Sequence, residues 1–125
     1  MGEPLGEIAI VDDDASVCRA LGRLIETWSF QVRTYVSAQA FIDSLDEEGE
    51  PDCLVVDLQM PDMNGLDLQD YLRRAGCRIP TIIITAHNEP GFRRWCEAAE
   101  VSAFLLKPLN DTELMSAINS AMRHN

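Results

Sequence analysis

Acidic side chains follow two apolar runs of this chain, and together they could bind a metal ion. Asp12, Asp13 and Asp14 come directly after the run that ends at Val11, and Asp57 ends the apolar run that starts at residue 53. Carboxylates gathered in one place repel each other, so such a cluster in a folded protein usually binds a cation. Oxygen-only ligands favour Mg2+ or a similar hard ion, which typically uses one or two carboxylates together with phosphate oxygens.

A hydroxyl group and an ammonium group also stand at the ends of apolar runs, further along the chain. Thr85 ends the run Thr81–Thr85, and Lys107, the only lysine of the chain, follows Leu106. A hydroxyl donor and a point positive charge opposite carboxylates suit a bound phosphoryl group. Taken singly, each residue has an ordinary explanation, such as Asp13 or Asp14 capping the helix that follows. Together, four strand ends with complementary groups predict a site for a metal ion and a phosphoryl group.

These residues must be positioned by the elements that the apolar pattern predicts. Short apolar runs predict strands at residues 7–11, 30–35, 53–56, 81–85 and 103–106. Helical spacing predicts helices at residues 15–28, from an N-cap at Ser37 to about residue 45, at 66–75 before Gly76, near 90–99, and from Asn110 or Asp111 onward. This alternation favours an α/β fold with a parallel sheet between two helical layers. The carboxyl ends of parallel strands meet at one edge, where the candidate site residues should converge.

Composition limits the function classes that remain. With 46% hydrophobic and 25% charged residues, the 125-residue chain is predicted to fold as one domain over residues 1–125. Its net charge of -11 argues against direct binding of nucleic acid. No apolar run is long enough for a membrane span and no leader precedes the first strand, so we expect a cytoplasmic protein that does not bind membranes.

Two further features have ordinary structural interpretations. The four cysteines lack metal-binding spacing and are expected to be free, mostly buried thiols. The acidic run at 46–52 is expected to be a solvated loop.

Four segments of the chain resemble a known family. They are Ile10-Val11-Asp12-Asp13-Asp14, the run from Leu54 through Asp57, Gln59 and Pro61 to Gly65, Ile84-Thr85-Ala86, and Phe104-Leu105-Leu106-Lys107-Pro108-Leu109. In this order and spacing they are similar to a receiver domain of bacterial two-component response regulators, CheY-like in general and FixJ-like in the middle segment. The resemblance covers residues 7–122, and it implies a flavodoxin-like doubly wound (βα)5 fold whose strand order is 2-1-3-4-5.

The resemblance also implies a role for each site residue. Asp57 would accept a phosphoryl group from the phosphohistidine of a sensor histidine kinase, while Thr85 and Lys107 contact the phosphoryl oxygens. The implied Mg2+ ligands are Asp13, Asp57, the backbone carbonyl of Gln59 and, through water, Asp12. Such a domain is a signalling phosphoacceptor, and its own chemistry is limited to self-catalysed phosphorylation and autodephosphorylation.

The family further implies a switch and an output. Phosphorylation would draw the Thr85 hydroxyl inward and turn Phe104 toward the vacated space, so that the face of the fourth helix, fifth strand and fifth helix favours a new partner or a homodimer. The Lys107-Pro108 peptide would be cis and would aim Lys107 into the site. An effector domain outside this chain would carry any contact with DNA in transcription regulation.

Several residues depart from the family pattern. Glu100 stands where a glycine usually ends the fourth helix, and Leu109 stands where phenylalanine is common. Gln59 and His87 occupy positions at which the family varies its rate of self-dephosphorylation. These departures concern the signalling face and the phosphoryl lifetime rather than the acceptor itself.

Three alternatives stay open at this point. A Mg2+ phosphatase of the haloacid dehalogenase type has similar groups, but there the nucleophile precedes the paired acids, and a second acid replaces Gln59. A flavodoxin-like electron carrier would need a phosphate-binding loop after the first strand, where three acids would repel the flavin phosphate. A degenerate receiver would act as an interaction module independent of phosphorylation.

Overall fold

A computed structural model describes residues 4–86, 91–98 and 100–123 of the chain. Within these residues the strands are β1 (Glu7–Val11), β2 (Gln31–Tyr35), β3 (Cys53–Asp57), β4 (Thr81–Thr85) and β5 (Ala103–Leu106). The helices are α1 (Ala15–Glu26), α2 (Ala38–Glu48), α3 (Gly65–Arg74), α4 (Phe92–Ala98) and α5 (Asp111–Arg123). The strands form a parallel sheet in the order β2-β1-β3-β4-β5, which confirms the predicted α/β class and the strand order 2-1-3-4-5.

The core consists of two apolar clusters, one on each face of the sheet. Every residue of β3 and β4 is buried, as expected for strands that helices cover on both sides. On one face Ile10 packs with α1 and α5 residues such as Ile25 and Leu114. On the other face Val56 packs with α2 and α3 residues such as Phe41. Because alternate strand residues point to opposite faces, both clusters hold the same strands in place.

Side chains before four helices satisfy backbone N–H groups that would otherwise lack partners. The capping residues are Asp14 before α1, Ser37 before α2, Asn64 before α3 and Asn110 before α5. The cap predicted at Ser37 is confirmed, and of the two predicted starts of the last helix the structure has Asp111, with Asn110 as the cap. Of the two acids considered as caps for α1, the structure selects Asp14.

Element ends differ from the prediction where local hydrogen bonds terminate or extend a helix. The first helix ends at Glu26 rather than at residue 28, because Thr27 turns back onto the Leu24 carbonyl and Ser29 adopts a left-handed φ of 72°. The solvated loop predicted at 46–52 is wrong in its first half, since α2 continues to Glu48. There the Glu48 carboxylate pairs with Arg33 at 3.0 Å, which stabilises the last turn.

The fourth helix ends in the way that a glycine would permit. Glu100 has a left-handed φ of 61°, and its N–H donates to the Glu97 carbonyl. The predicted limits of this helix at residues 90 and 99 lie outside the described residues. The Lys107-Pro108 peptide is cis, as the resemblance implied.

Two remaining expectations concern thiols and membranes. Cys18 and Cys53 are buried free thiols, and Cys77 is a partly buried one. In the described part of the chain, no helix is both long and apolar enough to cross a bilayer.

Candidate functional site

Strand pairing brings the predicted site residues to one edge of the sheet. In the register of the sheet Val11 of β1 lies beside Val56 of β3, so that Asp12 and Asp57 are the next residues along their strands. Thr85, the last residue of β4, lies beside Leu106 of β5. Lys107 therefore follows directly at the same edge, and the predicted convergence is confirmed.

Three carboxylates form the centre of this site. Asp12, Asp13 and Asp57 each present an oxygen atom, and these atoms lie within 4.8 Å of one another. Asp12 and Asp57 are buried, with exposed fractions of 4% and 7%, whereas Asp13 is exposed. Two carboxylates thus form the floor of the site and the third forms its solvent side.

Lys107 is the cation of the cluster. Its Nζ atom lies 3.6 Å from Oδ2 of Asp57 and 3.8 Å from Oδ2 of Asp12. Both distances exceed those of a direct charge-assisted hydrogen bond, so the ammonium group faces the two carboxylates without closing on either. One positive charge beside three carboxylates leaves an excess of negative charge at this edge.

Burial controls the protonation of the two inner acids. Desolvation raises the pKa of Asp57, and the charge of Lys107 opposes that rise. Desolvation also raises the pKa of Asp12, opposed first by the hydrogen bond from the Asp14 N–H. The ionised forms are therefore costly without a cation, and a bound cation would stabilise them.

Local turns fix the direction of each inner carboxylate. Oδ1 of Asp12 accepts a hydrogen bond of 2.9 Å from the Asp14 N–H, and Oδ1 of Asp57 accepts one of 3.3 Å from the Gln59 N–H. Asp14 is bonded elsewhere, since its carboxylate accepts from the Ser16 hydroxyl and caps α1. The three consecutive acids thus divide into two site residues and one helix cap.

Gly65, the last residue of the second family-like segment, lies next to the site. A Cβ atom at this position would lie 3.0 Å from the Asp57 carbonyl oxygen and 3.2 Å from Cα of Leu58. The Gly65 N–H also donates to the Leu58 carbonyl at 3.0 Å, so α3 begins directly against the end of β3. The Asn64-Gly65 pair was the available signal, but only the fold shows that the glycine is needed for close packing.

The other predicted residues lie around this centre. Thr85 is fully buried, and Phe104 is half-buried in the cluster on the α3 face of the sheet. Phe104 pairs with Ile83, two residues before Thr85, so both side chains belong to the same face. Gln59 is exposed beside Asp57, whereas His87 lies outside the described residues.

The donor set fits Mg2+ better than a softer metal. The grouped ligands are carboxylate oxygens from Asp12, Asp13 and Asp57, with no thiol or imidazole in the group. Hard divalent cations prefer such oxygen ligands, and Mg2+ commonly keeps several waters beside one or two carboxylates. The arrangement is suited to holding a hard cation next to Asp57.

The chain is similar to known proteins over nearly its whole length. The family described as the response regulator receiver domain matches residues 8–119. Response regulator protein TodT of Pseudomonas putida is 32% identical over 123 residues, which cover 98% of this chain and 54% of TodT. Transcriptional regulatory protein FixJ of Rhizobium meliloti is 33% identical over 117 residues, 94% of this chain and 57% of FixJ. The chain thus spans about half the length of these relatives.

Solved structures agree with the sequence comparisons. The crystal structure of FixJ-N is 32% identical and superposes with a TM-score of 0.87, covering 100% of this chain and 98% of that one. A response regulator receiver protein from Burkholderia phymatum is 38% identical with a TM-score of 0.83, covering 97% and 96%. From its sequence, its strand order and the residues at its acidic edge, the chain belongs to the response regulator receiver domain family.

Proposed function

We propose that this receiver domain accepts a phosphoryl group on Asp57 from the phosphohistidine of a sensor histidine kinase. The observation that carries the proposal is the position of Asp57, which is buried at the strand edge between Lys107 at 3.6 Å and the carboxylates of Asp12 and Asp13. The haloacid dehalogenase and flavodoxin alternatives are not favoured, because the whole-chain comparisons match receivers.

In the proposed reaction an oxygen of the Asp57 carboxylate attacks phosphorus. The new P–O bond forms as the P–N bond breaks, and the imidazole of the donor leaves with the electron pair. Lys107 stabilises negative charge on the phosphoryl oxygens, and the Gln59 N–H holds one Asp57 oxygen so that the other can react. Bound Mg2+ would neutralise charge on the carboxylates and the phosphoryl group, with Asp13, Asp57 and the Gln59 carbonyl as its ligands and Asp12 holding it through water.

The signal would then pass to the face formed by α4, β5 and α5. Thr85 and Phe104 share one side of the sheet, which supports their proposed roles as the switch residues. The relatives include a transcriptional regulatory protein of about twice the matched length, so we expect an effector domain to provide the DNA contact. We also expect this domain to act in the cytoplasm. Homodimerisation through this face on phosphorylation is tested by sedimentation, in which an unchanged monomer would contradict it.

Intact mass measured after incubation with Mg2+ and acetyl phosphate tests the phosphoacceptor. We expect one phosphoryl addition that is lost in Asp57→Asn and lost without Mg2+. Asp14→Asn is the matched control, because it removes an acid two residues from Asp12 yet leaves a residue that caps α1 equally well.

The alternatives predict different results in the same experiment. A folded protein that neither gains the phosphoryl group nor binds Mg2+ would be an interaction module. Steady phosphate release without an adduct would indicate a phosphatase. Retained addition in Asp57→Asn would place the acceptor elsewhere.

A further inference from the structure

The amino edge of the sheet, opposite the acidic site, has a cavity of about 600 Å3 where α3 ends. Its wall includes Arg73, Arg74 and Arg78. These are three of the ten basic residues in a chain whose net charge is -11. Positive charge is therefore concentrated here against the general charge of the surface, which is the electrostatic pattern of an anion site.

The internal partners of these arginines are few and weak. Nε of Arg74 pairs with Asp70 at 3.1 Å, but both side chains are exposed, and such pairs contribute little. Nη1 of Arg73 donates to the Ala98 carbonyl at 3.4 Å, a long hydrogen bond. Among the described residues no ion pair or side-chain hydrogen bond engages Arg78. The guanidinium groups are therefore available to a ligand.

The rest of the lining leaves the cavity positive and polar. Glu100 is the acid of the lining that remains once Asp70 is paired with Arg74, so the three arginines still outnumber the acids there. Gln69 and Ser102 add neutral polar groups to the wall. The volume lies within the range of roughly 300–1,000 Å3 that is usual for small-ligand pockets. Guanidinium forks match the oxygen pairs of phosphate and carboxylate groups.

We propose that this cavity binds a small polyanion with two or more phosphate or carboxylate groups, held by Arg73, Arg74 and Arg78. The site is separate from the acidic edge and does not depend on phosphorylation of Asp57. It has one structural link to the signalling face, because Arg73 contacts Ala98, the last residue of α4. A ligand that recruits Arg73 would compete with that carbonyl, so anion binding and the end of α4 are energetically coupled.

Calorimetric titration of the purified chain with inorganic pyrophosphate and, separately, with citrate tests this site. Both titrations are done at fixed ionic strength and without Mg2+, so that neither probe is drawn to the acidic edge. We expect saturable one-to-one binding of at least one probe, and the preferred probe identifies phosphate or carboxylate as the chemistry. Arg78→Gln should weaken binding roughly tenfold, the usual effect of losing one charge-assisted contact.

Arg23→Gln is the control, since it removes an exposed arginine of α1 away from the cavity. Amide shifts in NMR spectra should change near Arg78 and Ser102 and stay constant near Asp57. A long acidic peptide is titrated in parallel. Three results would overturn the proposal: no saturable binding of either probe, equal weakening by Arg78→Gln and Arg23→Gln, or binding only of the peptide. The last result would identify a protein-docking surface instead.

Discussion

The acidic site at the carboxyl edge of the sheet and the arginine-lined cavity at the amino edge differ in charge and are built in different ways. At the carboxyl edge the charged residues end strands or directly follow them, and Asp12 and Asp57 are buried there. At the amino edge the arginines stand at the end of α3 and in the loop before β4, and Arg73, Arg74 and Arg78 are exposed. The first arrangement is fixed by backbone pairing, whereas the second depends on long side chains in solvent.

This difference predicts how each edge responds to substitution. Buried carboxylates close to one another destabilise the folded protein through desolvation and charge repulsion. Binding of a cation at the carboxyl edge would therefore stabilise the fold. Exposed arginines keep most of their hydration and contribute little to stability. Changes at the carboxyl edge should therefore alter both chemistry and stability, while changes at the amino edge should have small effects on folding.

Lys107→Gln is expected to have the largest effect. It removes the ammonium group 3.6 Å from Asp57 while keeping a polar side chain of similar length. The rate of phosphoryl uptake from acetyl phosphate should fall roughly 100-fold, as is usual when one preorganised charge-stabilising group is lost. Arg123→Gln, an exposed cation at the end of α5, should leave the rate unchanged. Both rates are measured by intact mass over time. Equal rates for wild type and Lys107→Gln would contradict this role.

Gly65→Ala should destabilise the fold by roughly 1–3 kcal/mol, because the new Cβ would overpack against the Asp57 carbonyl and Leu58. Gly22→Ala in α1 is the matched substitution, since its Cβ would meet the nearest atom, of Val32, at 3.4 Å. Helix propensity should make that variant neutral or more stable by up to about 1 kcal/mol. Urea unfolding measures both changes. Similar losses in the two variants would show that close packing at the acidic edge is not the cause.

Asp57→Asn should stabilise the metal-free protein by about 1 kcal/mol at neutral pH. Burial raises the pKa of Asp57, so the wild type loses stability as pH rises through that raised value. The gain from asparagine should therefore be present at pH 7 and vanish below the ordinary carboxyl value of 3.8. Asp14→Asn should leave stability nearly unchanged, because asparagine caps a helix about as well as aspartate does. Thermal unfolding is measured across this pH range. A stability gain of Asp57→Asn that becomes larger as the pH falls would contradict the prediction.

Glu100→Gly should have the smallest effect, a stabilisation of about 0.5 kcal/mol, because glycine adopts a left-handed backbone without a Cβ penalty. Glu100 has a φ of 61° at the amino edge. Gly76→Ala is the reverse experiment at a φ of 79° and should destabilise the fold to a comparable extent. Chemical denaturation shows whether each variant is more or less stable than the wild type. A loss of stability in Glu100→Gly would mean that the Glu100 side chain stabilises the fold by more than its left-handed backbone destabilises it.

Most of the fold and the acidic edge could be predicted because they depend on short-range patterns. Continuous apolar runs indicated the buried strands, and the residues after them, such as Asp12, Asp57 and Lys107, are brought together by the general geometry of parallel sheets. Helix ends were less predictable. The first helix stopped early at Glu26 and the second continued to Glu48, because single contacts such as Arg33 with Glu48 decide the last turn.

The sequence by itself determined the strand and helix order, the family and the residues of the acidic edge, since each follows from local patterning and strand-end position. Only the tertiary structure decided that Asp14 caps a helix while Asp12 and Asp13 face Asp57. It also decided that Gly65 packs against the Asp57 carbonyl, and that Arg73, Arg74 and Arg78 line one cavity with Glu100. Those arrangements join residues distant in sequence through side-chain direction and close packing, which no local pattern specifies.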